Sequence, residues 1–187
     1  TRSSSVTGVQ TCALPISLAA GVDLAAVVHG LQAFEPVKGR SRALSLSTPG
    51  GLLTLVDDTY NANPDSVRAA IDVLAELPSP RLLVLGDMGE VGNEGPQFHA
   101  EVGAYAAQRG VQALYTLGEL SAHAARAFGA AQHFEGMDLL LAAVAKNMGA
   151  FQSVVVKGSR FMKMERVVEA LLSQNEKHQK QGEAHAA

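Results

Sequence analysis

Short apolar runs alternate with amphipathic stretches from Ala43 onward. Leu52–Asp57, Leu82–Leu85, Ala113–Leu117 and Ser153–Val156 read as strands, and the Leu82 run is apolar throughout, as a strand buried on both faces should be. Ala43–Ser47 predicts a shorter strand, turned by Pro49-Gly50-Gly51 into Leu52–Asp57 as a hairpin, and Gln132–Phe134 a marginal one. The stretches between them repeat with helical period. Val67, Ala70, Ile71, Leu74 and Leu77 share one face of a helix. Gln97–Arg109 is helical with Gly110 as its stop, followed by Ser121–Phe128 and by Met137–Met148, with Leu140, Leu141 and Val144 inward. Met162–Leu172 is the last predicted helix and places Met162 and Met164 in the core; Asn175–Ala187 reads as a polar, flexible tail. Ahead of all this, Asp23 can cap a helix over Leu24–Ala33, and Glu35–Arg40 reads as a linker.

Repeated β-α units at this spacing imply an α/β fold: a three-layer, Rossmann-like domain with a mainly parallel sheet of about six strands and a short antiparallel edge hairpin. The length of 187 residues and 47% hydrophobic content suit one domain with a packed core. A net charge of −3 without a long basic cluster argues against a nucleic-acid partner. Cys12 is the only cysteine, which excludes an intrachain disulfide and fits a reducing, cytoplasmic setting. No apolar run approaches a membrane span. The first residues, Thr1–Ser17, have no helical or strand period, and Pro15 and Gly21 interrupt what would be a leader's apolar run. They resemble a translated adaptor sequence, so residues 1–17 are expected to be non-native and the natural chain longer at this end.

Three segments carry candidate chemistry. Asp57-Asp58-Thr59-Tyr60-Asn61-Ala62-Asn63-Pro64-Asp65-Ser66 closes one strand and opens a helix. Open α/β sheets bind ligands at that edge, where the helix N-terminus offers N–H groups and a positive dipole end. The paired acids suit ribose hydroxyls or a metal shell; equally, the Asn and Asp residues suit turn geometry and capping. Gly86-Asp87-Met88-Gly89-Glu90-Val91-Gly92 follows the next strand, and its glycines permit close approach of a ligand. Lys157-Gly158-Ser159-Arg160 follows the last strand, where two cations beside a helix N-terminus suit a carboxylate, and Ser159 can cap the helix or donate to that carboxylate. His99, His123 and His133 show no metal-ligand spacing and read as surface or packing residues. No G-x-x-x-x-G-K-[ST] phosphate loop occurs.

DDTYNANPDS, LVLGDMGEVG and VVVKGSRFMKME, in that order, resemble the C-terminal domain of the Mur ligase family over about Leu18–Ser173. The Tyr60-Asn61-Ala62-Asn63 form is similar to the branch that adds D-alanyl-D-alanine to UDP-MurNAc-tripeptide in peptidoglycan synthesis. The resemblance implies residues 18–41 as a remnant of a central ATPase domain with its linker, 42–173 as the C-terminal domain and 174–187 as a tail. It implies ATP contacts from Arg40, Asp58, Tyr60, Asn61 and Asn63, with Lys38 and Arg42 as neighbours to which the linker role could slip. It implies dipeptide contacts from Asp87, Glu90, Lys157, Ser159 and Arg160, with Asp87 and Glu90 meeting a substrate ammonium or fixing their loop. No catalytic residue and no metal ligand are expected here; Mg2+ would sit mainly in the absent central domain. A monomer is expected, inactive on its own. The alternatives are another Mur or folylpolyglutamate-type ligase domain, or a stand-alone Rossmann-like binding module.

Overall fold

The computed structural model describes residues 15–33 and 37–185, with side chains described to residue 177. Two compact units are present, Thr1–Val37 and Lys38–Ala187. In the first, α1 (Leu24–Ala33) starts behind Asp23, whose carboxylate accepts the N–H groups of Ala25 and Ala26 at 3.0 and 3.4 Å. That is the predicted cap. Residues 1–14 of the N-terminal segment, and Phe34–Pro36 of the linker, lie outside the described residues.

The second unit is a six-stranded sheet in the order β1-β2-β6-β3-β4-β5. The strands are β1 (Arg42–Thr48), β2 (Gly51–Asp58), β3 (Arg81–Gly86), β4 (Ala113–Leu117), β5 (Gln132–Phe134) and β6 (Ser153–Lys157). Only β1 is antiparallel, paired with β2 as the edge hairpin. Side chains alternate between two cores. Leu53, Leu55, Leu82, Val84, Val154 and Val156 face one, and Val56, Leu83, Leu85 and Val155 the other. The helices α2 (Pro64–Glu76), α3 (Gly95–Gln108) and α4 (Ser121–Phe128) cover the second core, while α5 (Met137–Asn147) and α6 (Glu165–His185) cover the first. This is the three-layer, mainly parallel Rossmann-like architecture.

That placement has a consequence for ligands. The chain leaves β2 and β3 toward helices on one face, but leaves β6, which lies between them, toward α6 on the other. Loops that part in opposite directions open a crevice at the carboxyl ends of these strands, a topological switch point. Lys157 ends β6 there, in register with Asp58 on one side and Leu85 on the other.

Two helices depart most from the sequence reading in their bounds. Helix α2 begins at Pro64, not Val67, because Asn63 and Ser66 form a capping box and Pro64 occupies the first turn. Helix α6 begins at Glu165, not Met162: Arg160–Met162 is a single 3-10 turn, and Lys163 then takes a left-handed φ of 51° that no helix continues through. It also runs past Leu172 to His185, and the Asn175 carboxamide is buried, accepting the Ser47 N–H at 2.7 Å. A polar sequence concealed that anchor on the unpaired edge of β1. Among the described residues no helix is long and apolar enough to cross a membrane.

Candidate functional site

Three loops meet at the switch point. The Lys157 side chain is 3% exposed, with Nζ donating to Asp58 Oδ2 at 2.5 Å and to the Asn61 carbonyl at 2.9 Å. The Gly89 N–H donates to the Ala62 carbonyl at 2.8 Å. A Cβ on Gly89 would meet Ser159 Cβ at 3.4 Å and Asn61 Oδ1 at 3.8 Å, ordinary contact distances that place the second loop against the other two. Ser159 closes the ring: its N–H and its hydroxyl both donate to the Asp87 carbonyl, at 2.9 and 2.5 Å.

The first loop also binds the segment that enters the domain. Asp58 Oδ1 accepts the N–H and hydroxyl of Ser41 at 3.0 and 3.1 Å. Buried Asp57 accepts the Gly39 N–H at 3.1 Å and the Thr59 hydroxyl at 2.7 Å. Tyr60 N–H returns to the Gly39 carbonyl at 2.9 Å. The Arg40 guanidinium lies 4.0 Å from the centre of the half-exposed Tyr60 ring, a cation–π contact. Of the neighbouring cations, Lys38 points elsewhere, to Glu169 at 2.9 Å.

Each predicted site residue can now be placed. Asp58, Asn61, Lys157, Ser159 and Asp87 converge, and Arg40 with Tyr60 flanks them. Asn63 spends its side-chain oxygen on the capping box of α2. Asp87 turns its carboxylate to the amino end of α4, accepting Ser121 N–H at 2.7 Å and Leu120 N–H at 3.2 Å. This fits the loop-fixing alternative for Asp87. Glu90 is exposed with a left-handed φ of 59°, and Arg160 is exposed and paired with Glu165 at 3.2 Å. Sequence reasoning missed Ser41, Asp57, Thr59 and the role of His99. The signal for Asp57 and Thr59 was present in the D-D-T turn, where the first acid can bond the residue two positions on.

His99 is fully buried on α3. Its Nδ1 lies 2.7 Å from the Gly95 carbonyl, and its Nε2 accepts the Met88 N–H at 2.9 Å. Burial, the strongest influence, lowers its pKa below the usual 6.5; the Gly95 carbonyl and Asp87 oppose the shift and His123 adds to it. An unfolded chain therefore takes up the proton at higher pH than the folded one. The stability His99 supplies is complete above about pH 6.5 and is lost as pH falls from there toward the folded pKa. Urea denaturation of the wild type should show a steeper loss between about pH 7.5 and 5.5 than that of His99→Gln, which cannot titrate. Parallel losses would contradict this.

Residues 39–160, which include all three loops, match the family model for the Mur ligase, glutamate ligase domain. The chain belongs to the Mur ligase family. Over 162 residues this Mur ligase domain is 39% identical to the UDP-N-acetylmuramoyl-tripeptide–D-alanyl-D-alanine ligase of Escherichia coli K12, covering 85% of the chain and 35% of that relative. The enzyme of the same name from Haemophilus influenzae is 38% identical over 165 residues, covering 85% and 35%. The crystal structure of MurF from Acinetobacter baumannii superposes with a TM-score of 0.75 at 31% identity, over 87% of the chain and 36% of that protein. The chain thus spans about a third of the length of the curated relatives it matches. Among the described residues no group of three or more His, Cys, Asp or Glu could hold a metal ion.

Proposed function

We propose that the chain is the C-terminal domain of an ATP-dependent ligase that joins D-alanyl-D-alanine to UDP-MurNAc-tripeptide in the cytoplasm, for peptidoglycan synthesis. The observation that carries this reading is the meeting of the DDTYNANP, GDMGEVG and KGSR loops around the Asp58–Lys157 pair at the switch point. Relatives named for that reaction share the same region.

The residues suit a nucleotide on one side. Tyr60 presents a half-exposed ring already flanked by a guanidinium, and the Asp58 carboxylate accepts hydroxyl donors such as Ser41. Ribose hydroxyls are donors of the same kind. Arg40 offers a fork of donors suited to phosphate oxygens. With Asn61 and Asn63 these form the ATP side. Lys157, Ser159, Arg160 and Glu90 form the dipeptide side, with Asp87 as the brace beneath them. Mg2+ would be held mainly by the central domain. ATP would transfer its terminal phosphoryl group to the tripeptide's C-terminal carboxylate and leave as ADP; the dipeptide amine would then attack the acyl phosphate, losing a proton and expelling phosphate. This domain's part is to hold both ligands in position and to exclude water on closure, which for amide formation supplies a large share of catalysis.

Two outcomes test this. The 187-residue chain alone should give no ADP release with ATP, Mg2+, UDP-MurNAc-tripeptide and D-alanyl-D-alanine, because it has no phosphate loop; turnover above a heat-killed control would contradict it. A chimaera carrying residues 38–185 in place of the matching domain of the Escherichia coli relative should regain D-alanyl-D-alanine-dependent turnover. In that chimaera Arg160→Ala should weaken dipeptide more than ATP, by about tenfold or more for one charge-assisted hydrogen bond. Asp58→Ala should do the reverse. Equal effects of both variants on both substrates would overturn the division of the site.

A further inference from the structure

His99 lies behind the site. Its ring holds Met88 of the glycine loop. Both ring nitrogens are engaged, one with the Gly95 carbonyl and one with the Met88 N–H. Only one form of the ring satisfies both. The proton must be on Nδ1 to meet a carbonyl, and Nε2 must be bare to accept an N–H. A second proton sets N–H against N–H in a pocket where His99 is 0% and Met88 1% exposed. No water is needed to complete the neutral ring, and the cation would leave a buried donor unmatched.

Met88 sits between the two residues that tie the loops together. On one side is Asp87, whose carbonyl receives both Ser159 bonds and whose carboxylate caps α4. On the other is Gly89, whose N–H meets the Ala62 carbonyl. We propose that His99 is a positioning residue: its neutral ring fixes the Gly86–Gly92 loop in the shape that joins the other two loops, and protonation at Nε2 releases that loop. The titratable groups that act on the ring are Asp87 on the loop itself and His123 on α4. The first favours the cation and the second opposes it, so Asp87 cannot hold the proton off. Exclusion of water does that, and the release point lies below the ordinary histidine range. The device stands on the loop geometry and does not depend on which ligands the domain takes.

The test is amide hydrogen exchange by NMR on the 15N-labelled 187-residue chain, from about pH 7.5 to about pH 4.5, corrected for intrinsic exchange. Protection at the Met88 amide should fall by about tenfold, the worth of one net hydrogen bond, while the Leu85 amide in β3 keeps its protection. The midpoint should coincide with the titration of the His99 ring nitrogens, read in the same sample. In His99→Gln the side-chain oxygen can still accept the Met88 N–H but cannot titrate, so protection should be level across the range. Unchanged Met88 protection in the wild type would overturn the proposal. So would a midpoint unrelated to that of His99, or a loss in His99→Gln equal to that of the wild type. If His99→Gln does not fold, the wild-type comparison of the two midpoints decides the matter by itself.

Discussion

Replacing Lys157 with Met should destabilise the domain by about 3 kcal/mol or more, because it leaves the Asp58 carboxylate without its partner in a mostly buried site. Lys157 is 3% exposed and Asp58 17%, so water can re-solvate the abandoned carboxylate only in part. Asp58→Leu should cost a similar amount, since the ammonium then keeps only the Asn61 carbonyl. The double variant should cost much less than the sum of the two, as the members of one buried pair do not act independently. Urea unfolding of the four proteins measures this directly. Additive losses would show that the pair is not the centre of the edge. Lys157→Met should also disturb the end of β2 and the loop that follows it, since the ammonium ties Asp58 and Asn61.

Gly118→Ala should be the most damaging glycine substitution near the site, at roughly 3 kcal/mol from backbone strain and overlap together. Gly118 follows β4 with a φ of 113°, and a Cβ there would stand 2.5 Å from the Asp87 Cγ. The carboxylate that caps α4 would have to leave Leu120 and Ser121, taking the glycine loop with it. Gly129 is the control: its φ is 95°, but nothing lies within 4 Å of a Cβ built on it. Gly129→Ala therefore carries the backbone strain alone. The difference between the two variants, read from urea midpoints at equal slope, isolates the displacement of Asp87 and should be about 1–3 kcal/mol. Equal losses would mean that Asp87 moves aside without cost.

The centre of the sheet was legible because its strands are buried on both faces. Runs such as Leu82–Leu85 and Ser153–Val156 have few other ways to fold, and the Gly-rich and Asn-rich loops mark where they end. The edge that carries the site followed from the same reading, since each motif comes directly after a parallel strand. What each side chain does there was not legible. Asp58 and Lys157 are 99 positions apart, and only the insertion of β6 between β2 and β3 brings them together. Their shared bond puts the proposed nucleotide and dipeptide sides of the site in direct contact. For Asp87 the motif left a ligand contact and a loop-fixing role equally open, and only the fold shows its carboxylate turned toward α4. His99 gave no metal spacing and so read as packing; nothing local shows that its ring reaches the amide eleven residues back. Helix α6 was cut short because its last turns are polar, and the anchor at Asn175 is a tertiary contact.

The most direct measurement is amide chemical-shift mapping of the 15N-labelled chain titrated with ADP and, separately, with D-alanyl-D-alanine, up to about millimolar ligand for a site lacking its partner domains. A site at the switch point predicts that ADP shifts the amides of Asp58–Asn63 and of Gly39–Ser41, that the dipeptide shifts those of Gly158–Arg160 and Gly89–Glu90, and that the opposite sheet edge at Arg81, Gln112 and Gln152 is unmoved. Shifts confined to that opposite edge, or none with either ligand, would contradict it.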